Sequence, residues 1–393
     1  TEQEVLEFSG LIYQAYWSPI RLALGDALFY ASGRIRPSHG FLRKAVRDRY
    51  YPDPDTERAQ RLELAHWFGM RPLDVRSAWE QPAQLALAGA HQKLLSLLSD
   101  QGVFELIHRI SGNTRLHRYW ADIEATLGVA PVDHYERLWH KWQTEMTLEQ
   151  RLEMSARIYR FLRYCGGENE FTLQLAQDRL QDCRQFYGES DIRFLRQMGA
   201  CAQTLAMRKD RLDQARRLAE HTCTGIKLIA EQDAKDLPSQ LLILAGICLK
   251  QRDIIPGITA VRRSLQLLET VEGPRHPSLI PHLNCLTDLL LVNAGKARRG
   301  DDGRLKGNKQ LSEGINLQKR CLGLLQDCRG LKHLDSADCM VRTGHVFKRC
   351  GDLERAVKAY ELAMNIRLRL LGKAHPKTQS AQRLLIRARN SLA

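Results

Sequence analysis

Small and large apolar positions alternate at helical spacing along residues 344–363. Gly344 is followed three residues later by Phe347, Gly351-Asp352 interrupts, and Ala356, Tyr360 and Ala363 then fall at i, i+4 and i+7. Those three share one helical face. The pattern predicts two helices joined by a tight turn. Gly344, Ala356 and Ala363 are small enough to let antiparallel helices approach closely. Phe347 and Tyr360 fill the space between neighbouring pairs. Gly351 ends the first helix because glycine tolerates a left-handed backbone.

The same unit recurs. Gly330-Leu-Lys-His333 and Gly372-Lys-Ala-His375-Pro376 lie 42 residues apart. An earlier copy, Gly273-Pro-Arg-His276-Pro277, precedes the first by 57 residues, fifteen more than the period. A polar stretch over 294–308 without apolar periodicity accounts for the excess and is expected to be an insertion between two helices of one repeat. Fainter copies at Gly188-Glu-Ser-Asp191 and 231–237, with Gly246 and Gly257 as small positions, extend the array upstream. A fixed period of this size means stacked repeats. About five helix pairs are expected from Thr147 to Arg367. A last helix over 377–392 has no partner after it and is expected to cap the stack. Proline stops the residue before it from continuing a helix, so His-Pro resets the chain before each first helix.

The small–large–small pattern resembles the tetratricopeptide repeat, with six positions matching in the last unit: Gly344, Phe347, Gly351, Ala356, Tyr360 and Ala363. Its long period with Gly-x-x-His-Pro between units resembles the repeats of kinesin light chains and of nephrocystin-3-like proteins. The resemblance implies a right-handed superhelix whose concave face is formed mainly by the first helices. Exposed polar residues there are the partner-binding candidates: Arg342, Lys348 and Arg349, with Asn284 as a backbone-binding amide.

Residues 1–70 do not fit the repeat. Short apolar-periodic helices are expected over 2–8 and 20–28, the second with Ser18 as N-cap and Pro19 at its first position. A short hairpin through Gly33 and helices over 41–50 and 58–68 follow. Helix–helix–hairpin–helix is winged-helix-like. His39, Leu42, Arg43, Ala45, Val46, Arg49 and Tyr50, then Leu64, Ala65, Trp67 and Phe68, resemble the segment after the ATPase core of NACHT-type (STAND-type) signalling ATPases. Residues 71–146 are similar to the helical linker that joins such a module to tetratricopeptide repeats. The expected fold is therefore mainly α: a winged-helix-like module (1–70), a helical linker (71–146), repeats (147–376) with the insertion at 294–308, and a capping helix (377–393).

Composition narrows the function. Hydrophobic residues make up 44% of the 393, enough for more than one core. No run approaches the length of a membrane span. The start, Thr1-Glu-Gln-Glu-Val5, has neither initiator Met nor signal-peptide pattern and reads as the middle of a longer protein. All ten cysteines lie at or after Cys165, none in a CxxC pair. They read as small core residues of a reduced, cytoplasmic protein. No GxxxxGK[ST] loop occurs, so an ATPase core, if the parent has one, lies upstream. HExxH, GxSxG and GxGxxG are also missing, and neither catalysis nor a cofactor or metal is expected here. His276, His333 and His375 recur with the linker and read as structural caps. Tyr119/Trp120 and Trp139/Trp142 read as core.

The net charge is +14. From Arg342 to the end there are twelve Lys or Arg and three Asp or Glu. Such a surface attracts anions, and an acidic partner such as an acidic peptide or tubulin tail is one expectation. Arg43, Lys44 and Arg47 form a basic patch on the third helix of the front module, the element that enters the major groove in helix-turn-helix proteins. Three readings follow: a non-catalytic interaction scaffold forming the sensor region of a NACHT-type regulator, in the cytoplasm or a cilium; a nucleic-acid-binding regulator using the basic helix; and a cargo or tubulin adaptor of kinesin-light-chain type.

Overall fold

The computed structural model describes residues 1–10, 14–31, 34–51, 53–166, 169–229, 235–294, 309–330, 332–373 and 376–392. The chain forms two compact units, Thr1–Leu175 and Ala176–Ala393. It is mainly α, and its second unit is an α-α stack of tetratricopeptide-type repeats.

In the first unit α1 (Glu2–Ser9) and α2 (Gln14–Leu24) precede a hairpin, β1 (Leu28–Ala31) paired antiparallel with β2 (Arg34–Pro37), and α3 (Gly40–Tyr50). The expected helix–helix–hairpin–helix order is present. The second helix starts earlier than expected and holds Pro19 in its interior rather than at its first turn. Trp17, in the extra turn, is buried. Then come α4 (Pro54–Gly69), α5 (Val75–Leu87), α6 (His91–Leu98), α7 (Gln101–Leu127), α8 (Pro131–Trp142) and α9 (Leu148–Tyr164). The core of this unit is aromatic. Phe104, Trp120, Tyr135 and Phe161 are almost wholly buried, and the Tyr135 hydroxyl donates to Leu98 O at 3.3 Å while accepting from Trp120 Nε1 at 3.3 Å. Both polar handles are satisfied, as burial requires. Tyr119, Trp139 and Trp142 are buried too, so these aromatics are core.

Helix α10 (Glu170–Tyr187) contains the boundary between the units. The second unit continues with α11 (Ile192–Leu205), α12 (Leu212–Ile229), α13 (Leu237–Gln251), α14 (Ile254–Glu272), α15 (Leu279–Asn293), α16 (Lys309–Arg329), α17 (Leu334–Arg349), α18 (Leu353–Leu371) and α19 (Pro376–Asn390). Each odd helix from α11 to α17 packs on the even one after it, and α11, α13 and α15 each also touch the next odd helix. The first helices α11, α13, α15 and α17 therefore form one continuous row. The second helices carry a buried triplet at i, i+4, i+7: Ala215/Ala219/Thr222, Gly257/Val261/Ser264, Gly314/Gln318/Cys321 and Ala356/Tyr360/Ala363. Successive triplets are offset by 42, 57 and 42 residues, the spacing of the Gly-x-x-His linkers.

Packing explains which residues fill these slots. A Cβ on Gly344 would lie 2.5 Å from Tyr360 Cε1, so only glycine admits the ring. A Cβ on Gly257 would meet Leu289 Cδ2 at 2.9 Å. Gly246, expected as another close-approach position, has open space around it; the small buried residue beside it is Ala245. Gly351 is left-handed, and the bonds Gly351 N–Lys348 O and Asp352 N–Phe347 O close the end of α17. That is the Schellman arrangement. The expected caps are also visible. His333 Nδ1 accepts from Asp335 N at 3.2 Å, and His276 Nδ1 from Ser278 N at 3.3 Å. Gly33, the insertion apart from Ala294, most of the 231–237 linker and His375 lie outside the described residues.

Candidate functional site

The row of first helices opens a cleft of about 420 Å³ lined by Leu249 of α13, Pro281, Asn284, Cys285 and Asp288 of α15, and Asp335, Asp338 and Arg342 of α17. Two of the four partner-binding candidates, Asn284 and Arg342, thus meet in one cleft although 58 residues separate them. The 42-residue repeat plus the insertion brings them together, since each sits on a first helix.

Arg342 Nε donates to Asp288 Oδ2 at 3.2 Å. Burial pushes the Asp288 carboxyl above its ordinary value, and the Arg342 guanidinium only partly offsets this. Asp338 shows the opposite balance. Burial raises it, but Arg367 Nη2 at 2.6 Å and Lys377 Nζ at 3.3 Å together hold it below the usual carboxylate range. Its partner Arg367 is itself buried and also donates to Lys377 O at 2.9 Å. One cleft therefore holds a carboxylate that is under-compensated beside one that is fully paired.

Asn284 is anchored from behind. Its Oδ1 accepts from Gln318 Nε2 at 3.2 Å, and the Cys321 thiol points to the same oxygen at 3.7 Å. Gln318 is a buried hub: its Nε2 also donates to Thr287 Oγ1 at 2.8 Å, and its Oε1 accepts from the Cys339 thiol at 3.0 Å. A fully satisfied amide network of this kind fixes side-chain geometry. Gln318 occupies the slot that Tyr360 fills one repeat later.

The other candidates are distributed differently. Arg349 Nη2 donates to Leu291 O at 3.2 Å, while Lys348 is exposed. Neither lines the cleft. Several C-terminal cations are internally engaged: Arg342 with Asp288, Arg355 with Asp352, Arg367 and Lys377 with Asp338, and Arg389 with Glu361. In the front module Arg43, Lys44 and Arg47 are all exposed on α3. Arg47 pairs with Glu57 at 2.7 Å. Among the described residues Arg43 and Lys44 have no ion-pair partner.

Sequence reading missed Asp288, Asp335, Asp338 and the Gln318 hub. The signal for Gln318 was available, because it lies 42 residues before Tyr360. The acidic lining had no such signal: an Asp on a helix face reads as solvated until the neighbouring helix is placed. Among the described residues there is no group of three or more metal-ligating side chains, and no helix is long and apolar enough to cross a membrane.

No protein-family model matches the chain, and no curated protein matches it. Among solved structures, the chain is similar to BtubC (BKLC) from P. vanneervenii at 17% identity and a TM-score of 0.43, covering 63% of this chain and 90% of that one. It is similar to a substituted form of a kinesin light chain-type protein with nearly identical TPR-like repeats from Podosopora anserina, at 12% identity and a TM-score of 0.44, covering 57% of this chain and 98% of that one. A Signal Transduction ATPase with Numerous Domains (STAND) that carries a tetratricopeptide repeat sensor, from Pyrococcus horikoshii, matches at 12% identity and a TM-score of 0.39. That match covers 97% of this chain and 56% of the ATPase chain.

Proposed function

We propose that this chain is a non-catalytic protein-interaction scaffold whose repeat surface binds a protein partner in the cleft formed by α13, α15 and α17. The observation that carries the reading is the junction of Asn284, Asp288 and Arg342 across two first helices, backed by the Gln318 network. An amide held by a buried hub and an Arg–Asp pair in a half-open cleft can exchange their internal bonds for a partner's backbone and charged groups. The pairing leaves Asp288 under-compensated, so a partner cation or donor there adds stabilisation that the free protein lacks. Lys348 and Arg349, outside the cleft, would contact a partner that extends along α17, and an acidic stretch would suit them. The front module, with its helix–helix–hairpin–helix order, supports a finer reading: the sensor region of a NACHT-type regulator resembling nephrocystin-3-like proteins, acting in the cytoplasm or a cilium. A cross-linking pull-down from native lysate with the whole chain tests the scaffold. The expected result is a protein captured by the wild type and lost by Arg342→Glu and by Asn284→Leu. Partners indifferent to both variants would place binding elsewhere.

A second reading, nucleic-acid binding through α3, rests on the exposure of Arg43 and Lys44 without ion-pair partners among the described residues. It predicts duplex binding that weakens steeply with salt and is lost in Arg43→Glu/Lys44→Glu. Salt-independent or absent binding removes this reading.

A further inference from the structure

Two thiols meet in the core of the second unit, behind the first-helix cleft. Cys321 of α16 and Cys339 of α17 are both free and wholly buried. The repeat shows why they meet. Where the second helix of one unit packs on the first helix of the next, residues eighteen apart share a slot: Thr222 with Gln240, Ser264 with His282, Cys321 with Cys339, Ala363 with Ala381. All eight are buried. In the second slot Ser264 Oγ donates to Pro238 O at 2.7 Å and His282 Nε2 lies 3.3 Å from the same oxygen, so the two side-chain tips converge. In the third slot the two thiols hydrogen-bond to each other. The last slot holds two alanines, so the fold itself requires no sulfur there.

Both sulfurs also belong to the Gln318 network. Cys339 Sγ donates to Gln318 Oε1 at 3.0 Å and lies 3.8 Å from Gln318 O, one turn before Cys321 on α16. Cys321 Sγ points to Asn284 Oδ1 at 3.7 Å. Asn284 lines the cleft, so a water-sized oxidant approaching Cys321 from there passes one side chain. The pair is asymmetric. Cys339 carries one proton, which it can give to Gln318 or turn toward Cys321. The bond from Cys339 holds the Cys321 thiol below its ordinary value, while the same contact and burial push Cys339 up. Cys321 therefore ionises first, and the thiolate is the nucleophile.

We propose that Cys321 and Cys339 are a redox pair that hydrogen peroxide converts to an intramolecular disulfide, releasing Gln318 and Asn284 from their thiol contacts. The Cys321 thiolate attacks one peroxide oxygen and the O–O bond breaks, leaving a sulfenic acid. The departing hydroxide takes up the proton that Cys321 had lost. The Cys339 sulfur then attacks the Cys321 sulfur. The S–O bond breaks, and the second hydroxide leaves with the Cys339 proton as water. Two thiols and one peroxide thus yield one disulfide and two waters, the sulfurs losing the two electrons that the peroxide gains. A thiol reductant reverses the bond by exchange. A disulfide has no S–H to donate, so Gln318 Oε1 loses its donor. A buried acceptor left unpaired is costly, so the Gln318 side chain turns and Asn284 loses its anchor. The consequence for partner binding rests on the cleft reading above; the bond itself does not.

The test treats the whole chain with hydrogen peroxide, in a background of Cys328→Ser that removes the exposed neighbouring thiol. The protein is then denatured, alkylated and digested with trypsin, which cuts after Arg320, Arg329, Lys332 and Arg342. The expected product is segment 321–329 joined to segment 333–342, lost on reduction with dithiothreitol and absent in Cys321→Ala and in Cys339→Ala. Alanine occupies both places one unit later, so these variants keep the fold. In the oxidised chain the side-chain amide resonances of Gln318 and Asn284, assigned through Gln318→Leu and Asn284→Leu, should shift, and dithiothreitol should return them. Cys321 and Cys339 still fully alkylated after peroxide, oxidation of either beyond the disulfide, or linkage of another pair in their place would overturn the proposal. So would amide resonances that stay in place once the bond has formed. A cleft that captures no partner would leave both readouts unchanged, so this proposal and the cleft reading fail separately.

Discussion

Replacing Gly344 with alanine sets two physical effects against each other. Intrinsic propensity favours the change, because alanine is about 1 kcal/mol better than glycine in a helix interior. Packing opposes it. The new Cβ would lie 2.5 Å from Tyr360 Cε1, 2.8 Å from Cδ1 and 2.9 Å from Cζ, whereas carbon atoms settle at about 3.5–4.0 Å. The ring must move by roughly 1 Å, and it has nowhere to go. Tyr360 is wholly buried between Ala356, Leu385 and Ala388, and its hydroxyl lies 3.0 Å from His345 Nδ1. Overpacking of this kind costs about 1–3 kcal/mol, and disturbing the hydroxyl contact adds about 1 kcal/mol. The net expectation is destabilisation by about 1–3 kcal/mol after the propensity gain is subtracted. Gly246→Ala is the control, since nothing lies near its Cβ, and it should stabilise by up to about 1 kcal/mol. Repeat arrays need not unfold in one step, so hydrogen exchange of α17 and α18 amides is the better assay, with thermal melts alongside. Opposite signs for the two variants are expected. If Gly344→Ala protects α17 as well as the wild type or better, the reasoning from the Gly344–Tyr360 contact is wrong.

Three further predictions test other contacts. Gln318→Leu removes a buried amide from Thr287, Asn284 and Cys339 and should cost about 1–3 kcal/mol; adding Thr287→Val should recover part of it, and urea titration of both variants checks the coupling. Arg252 ends α13 at φ 62°, the slot Gly351 fills at the end of α17, so Arg252→Gly should raise the melting temperature through a gain of about 0.5–1 kcal/mol. Asp338→Asn leaves the buried Arg367 without its carboxylate and should cost about 2–4 kcal/mol at neutral pH. Because the folded Asp338 titrates below its unfolded value, its stabilisation is present above the ordinary aspartate range and lost as pH falls through the lowered one; the gap between variant and wild type in melts at successive pH values should close in acid.

The repeat was legible because its physics is local. A period of 42 residues, glycine where a helix must stop and small–large alternation within one turn are visible without knowing any neighbour. Tyr360, Gly344 and Gly351 could be assigned roles on that basis. Gly246 could not be separated from Ala245, because which of two adjacent small residues faces the partner helix depends on a rotation that sequence spacing leaves loose. Pro19 was misplaced for a related reason. The helix begins five residues before it, at Gln14, and the turn ahead of Pro19 carries the buried Trp17, whose burial no spacing in the sequence signals.

The candidate sites were legible only in part, and the repeat itself explains the limit. Conserving the fold from unit to unit needs only the buried triplet and the turn. The residues around it are free to vary, and the first-helix cleft arises where a unit departs from its neighbours. Gln318 stands where Tyr360 stands, and so turns an aromatic plug into a hydrogen-bonding hub that holds Asn284 at the first-helix cleft. Reading such differences requires comparing a slot with its own copies after the register is fixed in three dimensions. Net charge obscures them: the C-terminal excess of cations points to an acidic partner, yet Arg342, Arg367 and Lys377 are tied to Asp288 and Asp338 within this unit. An abundance of one charge therefore does not mark a binding slot by itself.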